Sequence, residues 1–430
     1  MSEAAVDQRR FVERNLNRNV AVQLAHGTFG QTGFRLFNAP TFLPAYLYAI
    51  SGSELFVGLA RSLQALGQVI TPVVGASLIG HRKKVLGISL VAGALMRVQI
   101  LFVALSGLFL GHSHVGAVAI VFFMAMMGIF QGMQGVMLNS LRAKVIPVRR
   151  RGFVTGWRNF LAGGTTAALS YFAGGYFIDN NVFGDGYATL FLVAFLITCI
   201  GLGALALTRE PAAESVRGRE NVAESFRALP ALLRENPAFA RFFLVGALGS
   251  FGRMAMPFYI IYAGTRMDLS GAMLGVLTTI WMLTGTASQL VWGRTADRFG
   301  YRVVMIATLS IWTVAHVELL MASEILGIMT FFMMIGTAVG GFNQARQNLV
   351  LELGAERDIP LRVAVSNMAV NAIGTVGPLL GGLIASVFNH AMIVELCIVM
   401  QALALVILIG WIPEPRRQGT ADTQRPDLKR

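Results

Sequence analysis

Two arginines lie inside long apolar stretches of this chain, and each is followed within a few residues by a proline. One is Arg35 in Gly-Phe-Arg-Leu-Phe-Asn-Ala-Pro, the other Arg253 in Gly-Arg-Met-Ala-Met-Pro. A guanidinium keeps its charge at any physiological pH, and its planar fork of donors matches a carboxylate or a phosphate. At 1.5 Å of rise per residue, Arg253 sits roughly 15–20 Å into its apolar segment, and Arg35 is near the middle of its own. Charge at such depth is costly and faces protein or a water-filled cavity. Two forks facing one cavity would bind an anion. The alternative is that each pairs with a helix carbonyl or a neighbouring acid.

Amides gather on other apolar stretches. Gln131 and Gln134 precede Asn139; Asn343 precedes Arg346 and Gln347; Asn38 follows Arg35. Spacings of three and four place such residues on one helical face, suited to a polar solute or to hydrogen bonds between helices. Arg61, Gln64, Gln68 and Thr71 form a further stripe, with Glu54 beyond it, that reads as a gate or a packing seam. Arg97 reads as a residue paired within the protein, and Arg158 as one that snorkels to an interface. Proton carriers are few. His26 and Glu318 are the candidates, and His316 points about 200° away from Glu318 on a helix, so those two cannot share a site.

These residues are held by a chain that is 55% hydrophobic and only 13% charged, with a mean hydropathy of +0.63. Soluble domains carry about a quarter charged residues, so the composition is that of an integral membrane protein. The two cysteines, Cys199 and Cys397, lie in apolar runs, and His112 with His114 forms a pair without further ligands. Neither a metal site, a cofactor nor a disulfide framework is expected. No nucleophile–base pair and no phosphate-cradling G-x-x-x-x-G-K-[ST] loop occurs, so the chain reads as neither an enzyme nor an ATP-driven pump. The opening residues are polar and the first apolar run is too long for a cleavable signal.

Apolar segments of about twenty residues or more predict twelve spans: 19–49, 54–79, 84–110, 115–141, 152–179, 187–208, 238–265, 270–293, 301–322, 325–351, 361–388 and 391–412. The net charge of +13 is concentrated in alternate connections. Arg82, Lys83 and Lys84 fill the second; Arg142, Lys144, Arg149, Arg150 and Arg151 the fourth; Arg294, Arg298 and Arg302 the eighth. The other side holds Arg266 as its exception. This asymmetry predicts that both termini and the even loops are cytoplasmic, and it accounts for the charge without nucleic acid. The polar stretch 209–237, with Arg-Glu-Pro at its start and an apolar-patterned piece from Phe226 to Leu233, reads as a linker between two halves. The expected organisation is a tail 1–18, a bundle 19–208, the linker 209–237, a bundle 238–412 and a tail 413–430.

Between the eighth and ninth spans stands Gly293-Arg294-Thr295-Ala296-Asp297-Arg298-Phe299-Gly300-Tyr301-Arg302. It reads as a short, doubly positive turn, with glycines where the backbone bends sharply. It closely resembles the G-x-x-x-D-R-x-G-x-R loop signature of the major facilitator superfamily. The first half keeps Gly75 and the cluster His81-Arg82-Lys83-Lys84 but has Ile79 where Asp297 stands. Gly377-Pro378-Leu379-Leu380-Gly381-Gly382 looks like that family's antiporter motif displaced to the eleventh span, and reads here as close packing with a bend.

The resemblance implies an all-α protein with twelve transmembrane helices in two pseudo-symmetric six-helix bundles, working as a secondary transporter by alternating access. It implies that spans one, four, seven and ten line the central cavity. Arg35, Asn38, Gln131, Gln134, Arg253, Asn343, Arg346 and Gln347 are then the expected substrate-binding residues. Gly293, Asp297, Arg298, Gly300 and Arg302 are the expected gating group, with Asp297 latching against the start of span eleven near Asp358, Pro360 and Arg362. His26 and Glu318 remain the proton-carrier candidates. The expected cargo is a small anionic solute: an organic anion, a phosphate ester or an anionic metal chelate. The expected partners are that solute, membrane lipid and a coupling proton, with the monomer as the working unit. The expected location is the bacterial inner membrane or a specialised membrane derived from it. Two other readings stay open. One is a proton-driven exporter of hydrophobic compounds, for which Met124, Met126, Met127, Met133 and Met137 would supply the lining. The other is a non-transporting assembly factor on the same scaffold.

Overall fold

The computed structural model describes residues 10–111, 113–212, 234, 236–352 and 359–412. The tail 413–430, most of the linker with its Phe226–Leu233 piece, and Asp358 lie outside the described residues. Among those described, every regular element is helical, and ten helical segments are long and apolar enough to cross a bilayer. They match the expected spans two to four and six to twelve. The two that fall short of that composition, spans one and five, are the most polar. Leu16–Phe37 carries Asn19, Gln23, His26, Gln31 and Arg35, and Val148–Ala173 carries Arg149, Arg150, Arg151, Arg158 and Asn159.

Several spans break where their sequences cannot hold a continuous backbone ladder. Span one is two helices, Leu16–Phe37 and Phe42–Ser51, separated at Asn38-Ala39-Pro40-Thr41. Span two bends between Glu54–Ile70 and Pro72–Gly80. Span seven is Pro237–Gly249, then Gly252–Ala255 and, after the tight turn Met256–Phe258, Tyr259–Gly264. Proline lacks the N–H and crowds the preceding carbonyl, so Pro40, Pro72 and Pro257 each interrupt a helix. Pro378 does not: Ile359–Val387 runs through it, and Gly377 lets that helix close on the backbone of Met254.

In lipid a freed carbonyl must find a donor within the protein. At the first break Arg61 supplies it, its Nη2 reaching the carbonyls of Asn38 and Ala39 at 3.4 and 3.5 Å. Span seven also breaks earlier, at Ser250-Phe251, and there the donors come from span twelve, His390–Trp411: Cys397 Sγ lies 3.2 Å from the carbonyl of Phe251 and Gln401 Nε2 3.5 Å from that of Gly249.

The chain divides into two compact units. One comprises Met1–Glu220 with Pro257–Met282, the other Asn221–Met256 with Leu283–Arg430. In the first, span one packs on Val148–Ala173 and on Gly186–Ala206, and Leu86–Leu110 packs on His114–Val145 and Gly186–Ala206. The second unit repeats the pattern. Pro237–Gly249 packs on Ile359–Val387 and His390–Trp411, and Tyr301–Met321 on Ile325–Glu352 and His390–Trp411. Small residues permit the close approaches that dispersion needs in a bilayer. A Cβ on Gly201 would run into the backbone of Gly30, and one on Gly128 into that of Gln64.

The division departs from the expected bundles at two places. Residues 209–212 belong to the first unit, tied there by Asn19, which exchanges hydrogen bonds of 3.0 Å with both the N–H and the carbonyl of Arg209. Residues Pro257–Met282, expected in the second bundle, also cluster with the first unit. Asp179 accepts the N–H groups of Gly271 and Ala272 at 2.5 and 2.8 Å, capping Gly271–Phe299, and Thr279 donates to the carbonyl of Ala167 at 2.9 Å.

Candidate functional site

In the first unit, polar side chains from spans one, three, four and five surround a cavity of about 280 Å3. Span four, His114–Val145, presents Gln131, Gln134, Asn139 and Arg142 to it; span five contributes Arg158, span three Arg97, and span one His26. The stripe 131, 134/135, 138, 142 keeps the three-and-four spacing of one helical face. Apolar length alone ends this span at 141 and leaves Arg142 in the following connection. The helix continues to Val145, which brings Arg142 onto the glutamine face.

Each cationic group here is held differently. Arg97, buried, donates from Nε to the carbonyl of Thr198 at 2.7 Å and from Nη1 to that of Gly93 at 2.8 Å. Its expected pairing within the protein is therefore with carbonyls, and it lines the cavity as well. Arg142 makes one long bond, 3.4 Å from Nη1 to Asn139 Oδ1. Arg158 donates no hydrogen bond among the described residues, and its Nε is shielded from solvent. Rather than snorkelling to an interface, Arg158 lays its stem across Gly27, where a Cβ would collide with Cγ and Cδ of the arginine. His26, also buried, gives its Nδ1 hydrogen to the carbonyl of Gly201 at 2.9 Å, leaving Nε2 to accept or to take up a proton. Gln131 Oε1 and Gln134 Nε2 are shielded and unbonded.

Arg35 stands beside this cavity rather than on its wall. Its Nη2 bonds Gln31 Oε1 at 3.1 Å, and Gln31 is a lining residue. Asn38 is engaged elsewhere: its Oδ1 accepts from Arg61 Nη1 and from Gln64 Nε2, both at 2.9 Å. The second-span stripe is thus joined to the break in span one.

In the second unit Arg253 donates to Asn343 Oδ1 at 2.7 Å, joining the expected residues of spans seven and ten. Arg346 is buried and turns to span eleven, donating to Ser366 Oγ at 2.9 Å and Asn367 Oδ1 at 3.1 Å. Gln347 is exposed, so it and Arg346 occupy different sides of the helix. Glu318 lies in the last turn of Tyr301–Met321 near Gly327, whereas His316 is fully buried and bonded to Gln401 Oε1 at 2.9 Å.

The decapeptide after span eight is for the most part not a turn. Helix Gly271–Phe299 runs through Gly293 and Asp297, and only Gly300, at φ 89° and ψ 161°, bends the chain. The helix thus continues through the charged residues Arg294, Asp297 and Arg298, which apolar length alone does not foresee. Arg302 Nη2 caps the end of span twelve through the carbonyls of Leu408 and Ile409, at 3.2 and 2.9 Å. Arg298 lies over the ring of Phe299. Asp297 is exposed, and the segment expected opposite it at 358–361 falls outside the described side chains.

The first half uses a different acid. Glu210 is buried, and its carboxylate accepts the N–H of Val85 at 2.8 and 2.9 Å, that of Leu86 at 2.8 Å, and Lys144 Nζ at 2.9 Å. It therefore caps the start of span three, beside the connection where Ile79 stands in the place of an acid. The Arg-Glu-Pro triplet was its only trace in the sequence.

The model of the Major Facilitator Superfamily matches residues 27–269 and 242–430, nearly the whole chain in two overlapping copies. The chain belongs to that superfamily. It is therefore a multi-pass membrane transporter of small-molecule solutes and not an enzyme. Superfamily structures with the same fold include the nucleoside transporter NupG, at a TM-score of 0.72 and 12% identity over 91% of this chain and 99% of that one. They also include a D-xylose-proton symporter, at 0.64 and 13% over 94% and 98%. A bacterial metal transporter matches at 0.67 and 14% over 92% and 98%. At these identities the likeness is one of fold. Multidrug resistance protein D of Escherichia coli (strain K12) is 28% identical over 171 residues, 38% of this chain and 43% of that protein. The match thus spans less than half of that relative's length.

Proposed function

We propose that this superfamily member is a secondary carrier of a small anionic solute, moved by alternating access across a bacterial inner membrane or one derived from it, with the monomer as working unit and both termini cytoplasmic. One observation carries the reading. Arg35, Arg97, Arg142, Arg158, Arg253 and Arg346 have no carboxylate partner among the described residues; those that are bonded reach only amides, hydroxyls and carbonyls. Neutral acceptors orient a guanidinium but leave its charge uncancelled, and uncancelled charge away from water is costly. An anionic cargo would supply the missing sign. His26, buried among three arginines, would take up a proton only together with that cargo, whose charge offsets theirs.

A second reading, proton-driven export of hydrophobic compounds, is favoured by the likeness to Multidrug resistance protein D. Three arginines and no acid on the first-unit cavity wall favour an anion over the cationic compounds such exporters would take by a carboxylate.

The test is a thermal-shift screen of purified protein against phosphate esters, carboxylates, metal chelates, nucleosides and lipophilic cations, repeated with Arg35→Gln and Arg253→Gln. The expected result is stabilisation by an anionic class, weakened in both variants. Stabilisation by neutral or cationic compounds alone would overturn the reading.

A further inference from the structure

We infer that the oxyanion group of the solute is held inside the first unit, clamped between Arg142 and Arg158 against the fixed charge of Arg97, and that the solute is a small hydroxylated molecule bearing a doubly charged oxyanion, such as a phosphate monoester or a hydroxy-polycarboxylate. The inference rests on the anionic reading above and shifts its weight from Arg35 to two arginines that sequence alone placed in a loop and at an interface.

The three cations differ in what they have left to give. Arg97 spends its Nε and Nη1 donors on the carbonyls of Thr198 and Gly93, so it cannot turn without losing both bonds; it is a stationary positive charge on the wall. Arg142 has one long bond to Asn139 and a shielded Nε without a partner. Arg158 donates no hydrogen bond among the described residues. A guanidinium carries five N–H donors, so these two together hold most of ten unspent within one small cavity. Arg158 also stands in the field of Arg142 and Arg35, both of its own sign. Like charges repel, more strongly where they are partly buried, and the lining offers no acid to offset them.

The remaining wall narrows the ligand further. Both glutamines line the cavity, and Gln131 Oε1 lacks a donor while Gln134 Nε2, tucked against Gly93, lacks an acceptor; a turn of either amide would offer that need to a solute. Hydroxyl groups answer both needs, since a hydroxyl donates and accepts. An acyl chain answers neither, which argues against a lipid tail as occupant. The volume of about 280 Å3 is at the small end of ligand pockets, enough for an oxyanion head and a short polar body. Small residues make the room. A Cβ on Gly27 would strike the stem of Arg158, and one on Gly93 would strike Gln134.

The test is titration calorimetry of the full-length protein in phosphatidylcholine nanodiscs with glycerol 3-phosphate, citrate and glycerol as probes. Arg158→Gln, Arg158→Lys, Arg142→Gln, Arg35→Gln and Arg253→Gln are compared after a check of monodispersity. Either anion should bind and glycerol should not. Arg158→Gln and Arg142→Gln should each weaken binding 10–100-fold and Arg35→Gln by less, while Arg158→Lys should recover part of the loss. If Arg253→Gln abolishes binding while Arg158→Gln and Arg142→Gln leave it intact, the clamp is overturned and the anionic carrier stands. If neither anion binds the wild type and a neutral or cationic solute does, both fall. A parallel series in discs with phosphatidylglycerol separates the sources of the oxyanion. Protection of the wild type by that lipid, with no response to soluble anions, would mark a headgroup site and overturn the inference.

Discussion

Lys144 Nζ lies 2.9 Å from Glu210 Oε1, and the same carboxylate receives the N–H of Val85 and of Leu86. One acid thus joins the C-terminal end of span four, the start of span three and the chain leaving span six. Both ends of the pair are largely shielded, with side-chain exposures of 17% and 2%. Removing one partner from such a pair leaves a charge and two helix N-terminal donors uncompensated. Glu210→Ala should therefore destabilise the protein by about 3 kcal/mol. The expected reading is a clear fall in melting temperature in detergent, with Glu210→Gln intermediate because it keeps an acceptor. An unchanged melt would mean that the connection between spans two and three is held by something else.

Gly300 occupies φ 89° and ψ 161°, a region that side chains with a Cβ avoid. It is the single residue that turns Gly271–Phe299 into Tyr301–Met321. Gly300→Ala should cost about 1–3 kcal/mol, whereas Gly293→Ala, inside a helix with only Gln344 nearby, should be neutral or slightly stabilising. Thermal melts of the two variants side by side would decide this, and equal melting temperatures would refute the assignment of the bend to Gly300.

Hydropathy located the spans because apolar length is a local property, legible wherever lipid faces most of a helix. It was weakest at spans one and five, whose polar faces dilute the signal, and these two helices carry Arg158 and His26 to the cavity. The arginine before each proline was visible, and in the structure spans one and seven both break just beyond it. What span one does at its break was hidden, since Arg61 and Asn38 meet only through tertiary folding. Arg142 was lost to a boundary error of about one turn. Glu210 was lost because a carboxylate in a polar stretch looks like linker until its partners, far apart in sequence, converge on it.

Arg253 donates to Asn343 Oδ1 at 2.7 Å, a neutral acceptor that holds the guanidinium without cancelling it. Asn343→Asp would keep the shape and supply the missing charge from within. A carboxylate that cancels the guanidinium should raise the stability of the second unit, by about 1 kcal/mol. Asn343→Ala, which removes the acceptor, should lower it. Thermal melts of the two variants would decide this, and a fall in both would assign Asn343 a packing role.

Gly27 bears on Arg158 through geometry alone. The arginine stem crosses the glycine where a Cβ would stand, and the collision is with Cγ and Cδ rather than with the mobile tip. Gly27→Ala must therefore redirect the whole side chain while leaving every charge in the protein unchanged. If Arg158 grips the solute, this methyl group should weaken anion binding about tenfold, a loss of about 1.4 kcal/mol. The double variant Gly27→Ala, Arg158→Gln should bind no more weakly than Arg158→Gln, because both changes remove the same contact. Additive losses would show that the methyl group acts on the fold of span one and not through Arg158.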